Sequence, residues 1–328
     1  KATRLLPERS SWKLKRENRP GITGAEGLGR KDLSQGYESV LAPGLFQDQT
    51  VIVTGGGSGF GRCIAHELAS LGARPVLLGR TLEKLERVAG EIADDGGEAG
   101  FWACDIRDDD RVITVVREIT EKFGRIHGLV NNAGGQFRAP MESISRNGFE
   151  TVVRNNLVGG FLMAREVFNA SMREHGGAIV NVTADCRNGF PGMAHTGAAR
   201  AGTENLARTA AWEWGPYGVR VNSVAPGFVA SSGFDTYDES TTRMLRQAVD
   251  GSPMKRFGNE AEISSAESFL LSPSAGFINC ATLHVDGGGQ FGSSPNYWPL
   301  PEHPINEPHS WNGFHRSAPP KILSGDSQ

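Results

Sequence analysis

The feature that most constrains the fold is a glycine-rich turn at residues 54–61, which reads Thr-Gly-Gly-Gly-Ser-Gly-Phe-Gly. It follows the apolar run 51–53 and precedes residues 63–69, in which apolar side chains recur at helical spacing. Glycines let the backbone turn tightly and approach a pyrophosphate, and the first amides of a helix can donate to phosphate oxygens. The turn therefore predicts a phosphate-binding loop between a strand and a helix, with a plain turn as the alternative.

From Thr50 onward, strand-like and helix-like segments alternate without a break. Strands are predicted at 51–54, 75–79, 100–104, 128–131, 178–183, 220–224 and 282–285. Helices are predicted at 61–71, 82–94, 108–123, 148–174, 197–214 and 260–271. Continuous apolar strands between amphipathic helices indicate a parallel sheet that is covered on both faces. We predict an α/β, Rossmann-like, doubly wound sheet of seven strands in one domain, with ligands beyond the carboxyl ends of the strands.

Two segments of different composition flank this domain, which we place at residues 48–290. Residues 1–47 form an arm whose first twenty residues carry seven Lys or Arg against two Glu, followed by glycine-rich polar sequence. Residues 291–328 form a tail that contains seven prolines, Trp298 and Trp311. Each segment can be a solvated extension, or a surface that docks on another subunit or on a heterologous protein partner.

Charge and cysteine usage limit the partners and the compartment. A formal net charge of -3 and a pI near 6.3 give no general attraction to nucleic acid or to an anionic membrane. No apolar run is long enough for a membrane span, and we predict no metal site. Four widely spaced cysteines favour a reducing, intracellular compartment. The basic start suits the mitochondrial matrix, which we favour over the cytoplasm, and residues 325–328 are not a peroxisomal address.

The residues after the second and third strands predict which nucleotide the glycine turn binds. Arg80 stands where an acidic residue would bind the ribose hydroxyls of NAD. A guanidinium can instead pair with a 2′-phosphate, so NADPH (NADP) is the predicted cofactor, with a solvated arginine as the alternative. Asp105 could accept a hydrogen bond from the adenine amino group, or cap the helix that follows.

Three further motifs complete a recognisable set: 131–134 (Asn-Asn-Ala-Gly), 226–229 (Pro-Gly-Phe-Val) and 286–288 (Asp-Gly-Gly). With the glycine turn, they resemble the classical short-chain dehydrogenase/reductase family over roughly residues 47–289. The resemblance implies that the asparagine motif supports the sheet beside the cofactor, and that the amide of Val229 lies near the nicotinamide carboxamide. The implied cofactor-binding residues are Gly55, Ser58, Gly59, Phe60, Gly61, Arg80, Asp105, Ile106, Asn132, Ala133, Gly134, Arg200, Pro226, Gly227 and Val229.

The catalytic residues of that family are only partly kept. Asn156 matches its asparagine and Thr183 matches its serine, whereas Thr196 and Arg200 replace its tyrosine and lysine. A threonine hydroxyl has too high a pKa to protonate a developing alkoxide, and an arginine does not readily give up a proton. The substitutions therefore disfavour ordinary alcohol dehydrogenation.

A narrower resemblance suggests another reaction. Residues 195–202, 41–45 and 134–137 look like the peroxisomal trans-2-enoyl-CoA reductase branch, and the related 2,4-dienoyl-CoA reductases also depart from the usual tyrosine position. This resemblance implies NADPH-dependent reduction of a conjugated C=C bond in an enoyl-CoA-type thioester, through an enolate that needs hydrogen-bond donors. The candidate donors are Asn156, Thr183, Thr196 and His195. The candidate sources of the final proton are Asp185, His195 and water.

Two other functions stay open on the sequence alone. The lost tyrosine and lysine, the arm and the tail would suit a structural subunit of a larger assembly, and a hydroxyacyl or ketone dehydrogenase with a displaced proton donor is a third reading. The resemblance also implies a homo-oligomer, either a dimer or a tetramer, formed through helices 148–174 and 197–214. Residues 231–253 are expected to form a variable lid that decides which acyl group is accepted.

Overall fold

The computed structural model describes residues 36–236, 238–289, 302–303, 306 and 310–323. The chain divides into Lys1–Asp32, which lies outside the described residues, and Leu33–Gln328. Most of the predicted arm and the part of the tail that contains Trp298 also lie outside them. The domain boundaries at residues 47 and 290 therefore stay predictions.

The strands in chain order are β1 (Thr50–Thr54), β2 (Arg74–Gly79), β3 (Gly100–Ala103), β4 (Gly128–Asn131), β5 (Gly177–Val182), β6 (Val219–Pro226), β7 (Val229–Ala230), β8 (Gly258–Asn259) and β9 (Thr282–Val285). Seven of them form one parallel sheet in the order β3-β2-β1-β4-β5-β6-β9, and β7 pairs with β8. The predicted seven-stranded, doubly wound sheet is confirmed. Its strand order reverses between β1 and β4, which is where such folds bind ligands.

The helices are α1 (Gly59–Ser70), α2 (Leu82–Asp94), α3 (Asp109–Phe123), α4 (Arg146–Val153), α5 (Gly159–Val167), α6 (Arg173–His175), α7 (Ala194–Trp214), α8 (Glu239–Asp250) and α9 (Glu260–Leu271). π-helical turns at Arg154–Val158 and Phe168–Met172 join α4, α5 and α6, so the long helix predicted at 148–174 contains two irregular turns. Short 3₁₀ turns occur at Met141–Ser143, Gly215–Tyr217, Ser232–Thr236, Pro273–Ala275 and Lys321–Leu323.

The lid region contains a helix that the sequence interpretation did not place. Asp238 caps α8 by accepting a hydrogen bond from the amide of Thr241 at 2.7 Å. Leu245 and Val249 are buried one helical turn apart, at the spacing of an amphipathic helix. This short apolar stripe was available in the sequence, but the polar residues around it favour a loop.

The sheet is buried on both faces, because successive strand residues point to opposite sides. In β1, Ile52 packs towards α3, α5 and α7, whereas Val51 and Val53 pack towards α1 and α9. The first face continues through Val76, Leu129, Ile179 and Val221 of the neighbouring strands. The second face continues through Val130, Val180 and Val224. This two-sided core explains why the strands read as continuous apolar runs.

The described end of the arm and the part of the tail around Phe314 pack on the α1–α9 side of the domain. Phe314, only 2% exposed, lies against Cys63 of α1 and Ala261 of α9. The amide of Glu38 donates to the carbonyl of Gly313 at 3.1 Å, so the end of the arm contacts the tail directly. The aromatic side chains of the tail that the structure describes are therefore covered by the same chain, and they give no support to a heterologous partner.

Glu267 of α9 predicts a pH dependence of stability. It is fully buried, and neither carboxylate oxygen has a hydrogen-bond partner within the described ranges. Burial raises its pKa from the ordinary 4.5 to about 8. The folded chain thus keeps a proton that the unfolded chain loses, so the free energy of unfolding falls as the pH rises from about 4.5 to about 8 and is then level.

Glu267→Gln should remove this contribution, which is on the order of a few kcal/mol between pH 5 and pH 8. Urea unfolding at the two pH values measures it, with the exposed Glu86→Gln on α2 as the matched control. The variant should gain more stability over wild type at pH 8 than at pH 5. An equal gain at both values would show that Glu267 ionises normally in the folded protein.

Candidate active site

The glycine turn is fixed to the end of the neighbouring strand β4 by the asparagine motif. The hydroxyl oxygen of Thr54 accepts hydrogen bonds from the amides of Asn132 and Ala133, both at 3.0 Å. The side-chain amide of Asn132 donates to the carbonyl of Thr54 at 2.9 Å. The loops that follow β1 and β4 are therefore one rigid unit at the carboxyl edge of the sheet.

The turn is made of glycines because its backbone has no space for larger side chains and adopts conformations that other residues rarely reach. Gly55 and Gly59 have φ of +68° and +54°, which favour glycine. A Cβ on Gly61 would lie 2.3 Å from the carbonyl oxygen of Gly55. Ser58 is the exposed N-cap of α1 and makes no side-chain cap bond, and Phe60 is half-buried beside it. This cradle, with the first amides of a helix at its edge, fits the pyrophosphate of a dinucleotide.

At the ends of β2 and β3 lie two arginines, of which the sequence interpretation noted one. Arg80 is exposed at the end of β2, and its proposed role at a 2′-phosphate stays a prediction. Asp105 is paired with Arg107, whose Nη2 lies 2.5 Å from its carboxylate, and these bonds lower the pKa of Asp105. Asp105 is not the cap of α3, since that role belongs to Asp108, which accepts from the amide of Arg111 at 3.1 Å. Ile106 is buried beside it.

Gly134 separates Asn156 from Arg200. A Cβ on Gly134 would lie 2.5 Å from Nη2 of Arg200 and 2.6 Å from Oδ1 of Asn156. Asn156 lies in the first π-helical turn, and its amide donates to the carbonyls of Gly135 and Val152 at 2.7 and 2.9 Å. Its side chain therefore supports the loop after β4 and has no donor left for a substrate.

Arg200 is a buried cation beside Gly134. Its side chain is 8% exposed, and Nη1 donates to the carbonyl of Val182 at 2.6 Å. No carboxylate among the described residues forms an ion pair with it, and burial lowers its pKa to about 10. An unpaired buried charge is costly, so a position of this kind favours the binding of electron-rich oxygen atoms beside it.

The hydroxyl of Thr183 is directed into the sheet, whereas His195 keeps an unused donor. Thr183 donates to the carbonyl of Val224 at 3.1 Å. Nδ1 of His195 accepts from the amide of Thr196 at 2.8 Å, and the Thr196 hydroxyl lies 3.2 Å from the same nitrogen. With Nδ1 as the acceptor of these contacts, the neutral ring carries its proton on Nε2, which is buried and has no partner in the described part of the chain. Burial also lowers the pKa of His195, so it suits a neutral donor better than an acid.

Asp185 lies in a cluster that the sequence did not reveal. Asp185, His284 and Asp286 place one potential ligand atom each within 4.8 Å of one another. Nδ1 of His284 is 3.9 Å from Oδ1 of Asp185, and Arg187 contacts the other ring nitrogen at 2.8 Å. Burial, and then the charge of Asp286, raise the pKa of Asp185. Two carboxylates and an imidazole can hold a proton or a divalent cation.

The loops after β6 and β9 bring this cluster to a cavity. The amide of Asp185 donates to the carbonyl of Pro226 at 3.3 Å, and a Cβ on Gly227 would lie 2.7 Å from Cα of Asp286. A cavity of about 520 Å³ is lined by Val229, His284 and Asp286 together with residues of the lid. His284 and Asp286 therefore line a space large enough for a small molecule, and Asp185 lies beside them in the cluster.

The sequence family described as enoyl-(acyl carrier protein) reductase matches residues 55–290. The chain belongs to the short-chain dehydrogenase/reductase family. This short-chain dehydrogenase/reductase is similar to the peroxisomal 2,4-dienoyl-CoA reductase of Danio rerio, at 36% identity over 77% of this chain and 85% of that protein. It is also similar to the probable 2,4-dienoyl-CoA reductase of Bacillus subtilis, at 34% identity over 74% of this chain and 96% of that protein.

Among solved structures, the citronellol catabolism dehydrogenase of Pseudomonas aeruginosa is 55% identical, with a TM-score of 0.70, over 77% of this chain and all of that one. The family resemblance seen in the motifs is thus confirmed. No helix in the described ranges of this short-chain dehydrogenase/reductase is long and apolar enough to span a membrane. The relatives named here are peroxisomal or bacterial proteins, so the mitochondrial prediction gains no support from them.

Proposed function

We propose that this chain is an NADPH-dependent reductase of a conjugated C=C bond in an enoyl-CoA-type thioester. The observation that carries the proposal is the neutral His195 in the first turn of α7, the helix on which threonine replaces the family's tyrosine. Its buried Nε2–H has no partner among the described residues. Such a donor suits an enolate oxygen, and it is a poor substitute for a phenol that must protonate an alkoxide. The 2,4-dienoyl-CoA reductases among the relatives point to the same substrate class.

The cofactor part of the proposal rests on the cradle and on the positive charges around it. The glycine turn would hold the pyrophosphate, and Arg80, with Arg107 beside Asp105, would favour a 2′-phosphate. Arg200 would hold hydroxyl oxygens of the second ribose from its buried position. When bound, NADPH supplies the hydride that the protein itself cannot provide.

Different residues would stabilise the charge on the enolate oxygen and supply the final proton. His195 would donate to the thioester oxygen as charge develops there, and Thr196 holds its ring through Nδ1. Asn156 and Thr183 act as supports, because their donors are used by backbone carbonyls. The reduction adds a hydride to one alkene carbon and a proton to another. Asp185 would give that proton, leaving a carboxylate that His284 stabilises and that water reprotonates.

The test is turnover by the purified chain, followed by the absorbance of the reduced cofactor. The substrates are crotonyl-CoA, trans-2-decenoyl-CoA, 2,4-decadienoyl-CoA and a 3-methyl-branched enoyl-CoA, the last chosen because a citronellol-related dehydrogenase is similar. We expect turnover with at least one thioester, and a preference for NADPH over NADH of about tenfold that Arg80→Leu reduces. Acetoacetyl-CoA is the control for ketone reduction. NADPH binding without turnover of any alkene would refute the proposal.

We also propose that the chain forms a homo-oligomer through the α4–α7 face. That face exposes large apolar side chains, including Trp212, which is 81% exposed, and Phe149 and Phe161, which are about two-fifths exposed. Exposed aromatic side chains on neighbouring helices are typical of an interface. Light scattering should give the mass of a dimer or tetramer, and a monomer at micromolar concentration would contradict this.

A further inference from the structure

The tail contacts the lid through one buried side chain. We call residues 310–323 the tail segment and the described residues 231–236 and 238–253 the lid. Ile322 of the tail segment is 4% exposed and packs with Ala230 of β7 and Leu245 of α8. Phe234 and Phe257 complete this cluster, with their rings edge to face at 6.3 Å. Ile322 thus lies at the point where the lid meets the β7–β8 pair.

Two hydrogen bonds between side chains of the lid and the backbone of the tail segment fix the same contact. Arg246 of α8 donates from Nε to the carbonyl of Ile322 at 3.1 Å. The amide of Lys321 donates to the carboxylate of Asp235 at 3.0 Å, in the turn that precedes α8. The tail segment is therefore bonded to both parts of the lid, the turn and the helix.

The other end of the tail segment is held by the body of the domain. Arg316 pairs with Asp95 after α2, with Nε 3.0 Å from the carboxylate. The side-chain amide of Asn259 donates to the carbonyl of Trp311 at 2.8 Å. The buried Phe314 lies between these two contacts in sequence. The tail segment is therefore a strap from the α1–α9 side of the domain to the lid.

The lid in turn forms one wall of the 520 Å³ cavity. Val249 and Ser252 contribute that wall from α8 and its end, while Phe228, Ile263 and Val285 line the cavity from the body. Val249 is one helical turn after Leu245, the residue that packs on Ile322. Ile322 therefore packs one helical turn from Val249, the apolar residue of the lid that lines the cavity, and the same cavity is lined by His284 and Asp286.

We propose that Ile322 is a specificity-determining residue, which holds the lid at a fixed distance and so sets the length of the acyl group that the cavity accepts. This inference rests on the proposed function, because it takes the ligand to be an acyl thioester. When the walls of an apolar cavity are held at a fixed spacing, each methylene that an acyl chain adds between them is buried and strengthens binding. A wall that is free to move loses that gain for long chains, while short chains that do not reach it are unaffected.

The experiment measures binding directly, by calorimetry of the full chain with butyryl-CoA and decanoyl-CoA in the presence of NADP. Wild type should bind decanoyl-CoA more tightly. Ile322→Ala should weaken decanoyl-CoA binding at least fivefold and change butyryl-CoA binding less than twofold. Leu323→Ala is the matched control, because Leu323 is the next residue of the same turn and is 52% exposed. It should behave as wild type for both ligands.

Several outcomes would overturn the inference. Equal losses of affinity for both ligands would show that Ile322 affects only the stability of the fold. If Ile322→Ala binds both ligands as Leu323→Ala does, Ile322 has no role in chain-length selection. If Ile322→Ala does not fold, Arg246→Gln, which removes the bond to the Ile322 carbonyl, must show the same chain-length effect. Chain-length-dependent binding without turnover would refute the proposed reduction and leave this inference standing. Turnover with no chain-length effect would refute this inference alone.

Discussion

Asp185→Asn should lower kcat for enoyl thioester reduction by about 10²–10⁴-fold, the usual contribution of a positioned general acid. The amide has no acidic proton to give to the alkene-derived carbon, while its size and its place beside His284 stay the same. Affinity for NADPH should be unchanged, because the proposed cofactor contacts lie in the loops after β1, β2 and β3 and on α7, and do not include Asp185. Stopped-flow measurement of cofactor oxidation at saturating substrate gives the value.

The pH profile and two controls make this result specific. The acid must be protonated, and burial raises the pKa of Asp185 from its ordinary value, so wild-type kcat should fall as the pH rises through that raised pKa. Asp110→Asn, on the exposed start of α3, should leave both the rate and the profile unchanged. A chelator should also have no effect, and a loss of activity would instead assign the cluster to a metal ion. Retention of a third of the wild-type rate by Asp185→Asn would exclude Asp185 as the acid.

Gly61→Ala should have the largest effect on cofactor binding. The new Cβ would lie 2.3 Å from the carbonyl oxygen of Gly55 and 2.6 Å from the side-chain nitrogen of Asn132, so the backbone of the turn must move. Overpacking of this kind costs about 1–3 kcal/mol. If that cost falls on the bound conformation, the Kd for NADPH rises by about 5- to 150-fold. Fluorescence titration with NADPH measures the change.

Gly90→Ala is the matched control for this substitution. Gly90 lies on the exposed side of α2, and a Cβ there meets no atom within 4 Å. The change should raise stability by up to about 1 kcal/mol, because alanine favours a helix more than glycine does. It should leave NADPH affinity unaltered. If Gly61→Ala binds NADPH as tightly as Gly90→Ala, the turn is not the phosphate site.

The sheet and the turn could be predicted because their signals are local. Residues such as Val51, Ile52 and Val53 belong to a strand that is covered on both faces, so the apolar run itself records the parallel sheet. The glycines at 55 and 61 stand at positions where a side chain would clash, so the presence of glycine in the sequence already indicates a tight turn there. The family resemblance then predicted which later loops lie at the carboxyl edge of the sheet, beside the proposed cofactor site.

The direction of each polar side chain could not be predicted in the same way. Thr183 and Asn156 carry suitable donors, but only the folded chain reveals that backbone carbonyls use them. The proton on Nε2 of His195 follows from a single bond to Nδ1, which no sequence pattern records. His284 lies about a hundred residues after Asp185 and reaches it because β5, β6 and β9 are adjacent in the sheet.

The strap from the tail to the lid also has a consequence for biosynthesis. Ile322 leaves the ribosome roughly seventy residues after the end of the lid, which at about 5–20 residues per second is a delay of several seconds. During that time β1 to β6 of the main sheet are already available for pairing and β9 follows about halfway through, whereas Leu245 and Phe234 still lack the side chain that covers them. The nascent domain therefore passes through an interval with an open lid and an exposed apolar surface, the kind of surface that chaperones bind.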